Sequence, residues 1–188
     1  MQTDSVLDDI LARHARERPQ ALALRTVTSG VRCDLSYQDL ARRTGYAADW
    51  LWHAWGVRGG DRVAYLGLNQ ADQIVLLFAL ARLGAMLVPL NYRLAPPEWS
   101  AILADCTPHC IVHDATWAAA ATTLAHQQGV AAHALEALAA PGATLPETAP
   151  APAGAPALLV YTSGTTGQPK GALHTQSNLM ANMAAAVD

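Results

Sequence analysis

Apolar positions first recur at helical spacing at Val6, Ile10, Leu11 and His14, which predicts a helix to Glu17 with Pro19 beyond its end. Ala21–Val27 and Val31–Leu35 are rich in extended-type residues around Ser29-Gly30, predicting two strands joined by a turn. Ser36 and Asp39 then form a capping-box-like pair, with Asp in place of the usual Glu. They predict a long helix whose buried stripe is Leu40, Ala47, Leu51 and Trp55 and whose end is Gly56. Trp50 and Trp52 flank that stripe and read as packing residues rather than ligand-stacking ones.

From there the period alternates. Arg62–Gly67 predicts a strand, Asp72–Leu83 a helix and Ala85–Leu90 a strand. A helix over Glu98–Cys106, begun by Pro96-Pro97, and a strand over His109–His113 follow. Thr116–Gln128 predicts a helix, Val130–His133 a short strand and Leu135–Ala139 a helical turn. Apolar strands divided by amphipathic helices imply an α/β fold, a mostly parallel sheet covered by helices. The run 140–157 is rich in Ala and Pro, poor in large apolar residues, and reads as a surface connection. Leu158–Tyr161 is a buried-type strand, Ala172–His174 is short and extended, and a helix starts at Ser177 or Asn178.

Composition narrows the function classes. The chain has 188 residues, a net charge of −3 and few charged side chains, with no Lys/Arg cluster to grip nucleic acid. The most apolar stretch, Ile74–Leu90, contains Arg82, Gly84 and Pro89 and is shorter than the ~20 residues of a membrane span. The acidic N-terminus lacks a signal-peptide pattern, so the expectation is a cytoplasmic protein. The three cysteines do not form an even framework. Cys106, His109, Cys110 and His113 lie close in sequence, but a strand over 109–113 would turn both imidazoles away from Cys110. Buried thiols and surface imidazoles are therefore preferred to a metal site there.

The segment "YTSGTTGQPKGALH", Tyr161 to His174, is chemically the most pointed. Seven of the nine residues from Thr162 to Lys170 are Gly, Ser, Thr or Lys, and Lys170 is the only lysine of the chain. A flexible spacer would have that composition too. This one, however, leaves a buried-type strand directly, resumes an apolar segment at once, and carries Pro169 to fix the backbone before Lys170. Gly164 and Gly167 let a polyanion approach backbone N–H groups, Thr162, Ser163, Thr165 and Thr166 add hydroxyl donors, and Lys170 adds full charge. The spacing is not that of a Walker A loop, since Gly164 and Gly167 enclose two residues and Gly171 follows Lys170. Tyr161 stands where a hydrolase elbow needs glycine.

"YTSGTTGQPKGALHTQSNL" resembles the phosphate-loop motif of the adenylate-forming (AMP-binding) enzymes, which include acyl-CoA synthetases, peptide-synthetase adenylation domains and luciferases. "YQDLARR" and "GVRGGDRVAYLGLNQ" resemble the family's early helix and following strand, and "ARLGAMLVPLNYRLAPPEWSAIL" is most like acyl-CoA synthetases. The resemblance covers nearly the whole chain. It implies part of the N-terminal domain of the adenylate-forming fold over residues 1–188, with the 140–157 connection inside it. It also implies the family's two-step chemistry with ATP, Mg2+ and coenzyme A: a small-molecule carboxylate becomes an acyl-adenylate, then a thioester. By position in the motif, Thr162, Ser163, Gly164, Thr165, Thr166, Gly167 and Lys170 would contact the β- and γ-phosphates. Many relatives carry His after the threonine that is here Thr175, whereas this chain has Gln176. The family's metal-binding, ribose-binding and catalytic-lysine motifs do not occur, so the expectation is an N-terminal portion that does not adenylate alone. An adenylation domain serving a carrier protein, or a non-catalytic phosphate-binding module, shares the same loop.

Overall fold

The computed structural model describes residues 6–28, 31–139, 151–162 and 169–185. Helix α1 (Leu7–Glu17) is followed by strands β1 (Leu22–Thr28) and β2 (Val31–Ser36), an antiparallel pair outside the main sheet. The predicted turn at Ser29-Gly30 lies outside the described residues. Helix α2 (Tyr37–Asp49) begins on the expected cap: the Asp39 N–H donates to Ser36 Oγ at 3.1 Å, and the Ser36 hydroxyl donates to the Asp39 carboxylate at 2.7 Å. Trp50–Ala54 continues it as one wide turn, in which the Trp55 N–H donates to the Trp50 carbonyl, and Gly56 ends it at φ +72°.

Strand β3 (Arg62–Leu66), helix α3 (Ala71–Leu83), strand β4 (Met86–Leu90), helix α4 (Pro96–Cys106) and strand β5 (Cys110–His113) follow. A short helical turn at Ala115–Trp117 leads into helix α5 (Ala118–Gln128), then strand β6 (Ala131–Ala134) and a turn at Leu135–Ala139. Strand β7 (Pro156–Thr162), strand β8 (Lys170–Thr175) and helix α6 (Gln176–Ala185) complete the described order.

The main sheet runs β6-β5-β3-β4-β7-β8. Pairing is parallel from β6 to β7 and antiparallel between β7 and β8, so one edge departs from the purely parallel pattern. Strict alternation covers both faces. Val63, Tyr65, Leu87, Cys110 and Val112 pack against α2 and α3, while Ala64, Leu66, Val88, Leu90 and Ile111 pack against α4 and α5. The chain moves one way from β3 to β4 through α3, then back across β3 to β5 through α4. Right-handed crossovers place those two helices on opposite faces. The loops after β3 and β4 therefore part, opening a crevice at the carboxyl ends of these strands, where open α/β sheets bind ligands.

Two local differences from the sequence pattern have physical causes. Strand β7 starts at Pro156, inside the Ala/Pro-rich run, because Ala157 is buried where α1, α3 and α6 converge. His109 precedes β5 rather than belonging to it, since its ring is bound outside the sheet at Trp55.

Candidate phosphate-binding site

Thr162, the last residue of β7, and Lys170, the first of β8, are direct cross-strand partners. The loop predicted to hold phosphate is thus closed at its base by a ladder, and its two stem residues are brought together. Ser163, Gly164, Thr165, Thr166 and Gly167 lie outside the described residues. Thr162 and Lys170 are both exposed, and Lys170 has no ion-pair partner among the described residues. An ammonium with no carboxylate partner among the described residues, beside a hydroxyl, suits a polyanion, because none of those acids has to be displaced first.

Sequence reasoning missed what braces this stem. Gly171 lies across from Tyr161, and a Cβ there would stand 2.9 Å from Leu159 Cδ1 and 3.2 Å from the Tyr161 ring. With no side chain at 171, the Tyr161 ring takes up the space a Cβ there would fill, and its hydroxyl donates to the Asp105 carboxylate at the end of α4. Burial, then this bond to Asp105, raises the Tyr161 pKa, so its hydroxyl stays a donor. The glycine was visible in the sequence; the close approach that requires it was not.

Next to the stem, a cleft of about 420 Å³ opens at the carboxyl ends of β3, β4 and β7. Tyr65, Gly67, Val160 and Tyr161 form its walls, and Asn69, Gln73, Asn91, Tyr92 and Arg93 give it polar and cationic character. Its rim is rigid. The Leu68 N–H donates to Asp114 Oδ2 at 2.8 Å and the Trp117 N–H to Asp114 Oδ1 at 3.2 Å, which ties the loop after β3 to the one after β5. The Tyr65 hydroxyl donates to the Leu68 carbonyl at 2.8 Å and accepts from the Gln70 amide at 3.1 Å. Burial pushes the Tyr65 pKa up to about 12. Across the cleft the Trp99 indole N–H holds the Asn91 carbonyl at 2.9 Å.

The Cys/His segment is dispersed by the sheet. Cys106 packs on the α4 side and Cys110 on the α2–α3 side, and burial pushes their thiols up to about 11 and about 12, which keeps both protonated. His109 is exposed, as expected, and its Nε2 meets the Trp55 carbonyl at 2.7 Å; His113, expected at the surface, is instead buried, with Nδ1 2.9 Å from the Asp114 carbonyl. No helix among the described residues is long and apolar enough to cross a membrane.

The feruloyl-CoA synthase of an Amycolatopsis species is 41% identical over 177 residues, covering 90% of this chain and 33% of that protein. The indoleacetate–CoA ligase of Aromatoleum aromaticum is 37% identical over 196 residues, covering 97% and 37% respectively. Among solved structures, a Mycobacterium tuberculosis fatty acyl CoA synthetase superposes with a TM-score of 0.82 at 27% identity, over 97% of this chain and 37% of that one. The chain thus spans about a third of the length of these relatives. The AMP-binding enzyme pattern matches residues 11–188. With a covered α/β sheet of this topology and a hairpin-borne Thr/Lys stem, the chain belongs to the AMP-binding enzyme family.

Proposed function

We propose that this chain is the phosphate-gripping N-terminal portion of an AMP-forming carboxylate–CoA ligase. The observation that carries the reading is the pairing of exposed Thr162 with the sole lysine, Lys170, at the base of the glycine-hydroxyl loop. In the reaction, a carboxylate oxygen attacks the α-phosphorus of ATP, and the bond to the bridging oxygen breaks to release pyrophosphate. The thiol of coenzyme A then adds to the acyl carbon, loses its proton to solvent, and expels AMP. Lys170, Thr162 and, by motif position, Ser163 to Gly167 hold the β- and γ-phosphates and stabilise the charge that builds on departing pyrophosphate. As the metal of the MgATP substrate, Mg2+ would supply charge neutralisation at the phosphates. The names of the feruloyl- and indoleacetate-activating relatives favour an aryl-bearing acid as substrate.

Calorimetric titration of the chain with MgATP tests the phosphate role. A charge-assisted bond contributes about 1.5–3 kcal/mol, so Lys170→Ala should weaken binding by roughly tenfold or more. Unchanged affinity would overturn the assignment. The 188-residue chain should bind ATP without ATP–pyrophosphate exchange in the presence of aryl carboxylates; exchange above background would contradict the division of labour proposed here.

A further inference from the structure

Gln176 is a polar side chain only 1% exposed. Its Oε1 accepts from the backbone N–H of Leu7, the first residue of α1, at 3.0 Å. Its Nε2 donates to the carbonyl of Ala81, in the last turn of α3, also at 3.0 Å. Its own N–H donates to the Ala155 carbonyl at 3.0 Å, and the next residue, Ser177, bonds to the Ala153 carbonyl. One residue therefore fastens the start of α6 to α1, to α3 and to the approach to β7.

The strand that enters this anchor is β8, whose opposite end is Lys170. Among the described strands β8 pairs only with β7, and its outer positions are open to solvent, Leu173 being 54% exposed. An edge strand with one neighbour is fixed by its single ladder and by whatever holds its ends. At about 3.3 Å per residue, the anchor lies roughly 20 Å from Lys170 along a stiff extended segment. We infer that Gln176 is a positioning residue for the Thr162/Lys170 stem: its bonds to Leu7 and Ala81 fix β8, and through it the placement of Lys170 opposite Thr162. This inference rests on the phosphate reading above.

The chemistry required at 176 is specific, because one side chain must accept and donate at once inside the protein. Methionine does neither, and glutamate cannot donate when ionised. A neutral imidazole has one donor and one acceptor nitrogen and can replace the amide.

The test is MgATP affinity of the whole chain by calorimetry, well below the unfolding midpoint of each variant. Losing the two bonds in Gln176→Met should weaken ATP binding about fivefold, on the order of one net hydrogen bond. Gln176→His should stay within about twofold of the parent on the same scale. Hydrogen exchange of the β8 amides should quicken in the Met variant and not in the His variant. Gln176→Glu, which keeps the acceptor alone, gives a second loss variant if the Met form does not fold. If the parent binds no ATP, the phosphate reading and this inference fall together. If Lys170→Ala weakens binding but Gln176→Met does not, only the inference falls. Equal losses in the Met and His variants would also overturn it, because they would mark general destabilisation.

Discussion

Arg62, the first residue of β3, holds Thr107, the residue that closes α4, through both its carbonyl oxygen at 2.8 Å and its hydroxyl at 3.0 Å. The same guanidinium donates from Nε to the Cys106 carbonyl at 2.8 Å and from Nη1 to the Gly60 carbonyl at 3.0 Å. Thr107 is the one non-glycine residue among those described with positive φ, at +42°, a strained position for a β-branched side chain. The cation offsets that strain by satisfying carbonyls that every helix leaves open at its C-terminus. Arg62→Ala should lower stability by about 1–3 kcal/mol, read by urea denaturation. Arg62→Lys should recover little of it, since a point ammonium cannot fork across several acceptors.

Gly67→Ala should damage the rim of the cleft. The new methyl would lie 2.5 Å from Tyr65 Oη and 2.8 Å from Asp114 Oδ2, so the bonds holding Leu68 and Gln70 would have to give. Tyr65 is 1% exposed and cannot swing out. A loss of about 1–3 kcal/mol is expected from overpacking of this kind. Thermal unfolding reads it, and a midpoint equal to the parent's would show that the loop after β3 yields freely.

Acid should weaken the sheet at the β6 edge. His133 stacks on Trp55 with ring centroids 4.1 Å apart and planes 6° from parallel. Burial, followed by the nearby His109 and His113, lowers its pKa below the ordinary 6.5. The folded chain therefore binds fewer protons here than the unfolded one. The stabilisation is complete above pH 6.5 and is lost as pH falls through the depressed folded value. Unfolding midpoints measured from pH 8 down to pH 5 should fall less in His133→Gln than in the parent, and parallel curves would remove His133 as the cause.

Much of this architecture was legible because local rules and burial agree. Ser36 with Asp39, Pro96 at the start of α4, and Gly84 and Gly129 in left-handed caps mark helix ends by chemistry that acts within a few residues. The antiparallel turn into β8 was not legible, since the direction of pairing is decided across strands and leaves the apolar pattern unchanged. Ala157 looked like linker because its burial depends on three helices distant in sequence. Within the candidate site, residue type and spacing singled out Thr162 and Lys170, and the structure pairs them across β7 and β8. They did not single out Gln176: a polar residue at a helix start usually faces water, and only Leu7 and Ala81, 169 and 95 residues away, make it an interior one.

The brace behind the loop gives the last expectation. Gly171→Ala would set a methyl against Leu159 Cδ1 at 2.9 Å and the Tyr161 ring at 3.2 Å. Leu159 can rotate, but the ring is tied by its hydroxyl to Asp105 and is the harder of the two to move. Tyr161 immediately precedes Thr162, so a displaced ring shifts the stem that Lys170 faces. Gly171→Ala should therefore weaken MgATP binding several-fold, the scale of about 1 kcal/mol of misplacement, while costing little global stability at this exposed edge. Tyr161→Phe should weaken binding less, because the ring stays in place and only the bond to Asp105 is lost. If alanine at 171 lowers the melting point sharply but leaves ATP affinity intact, the glycine serves the sheet alone and the stem does not depend on the ring beneath it.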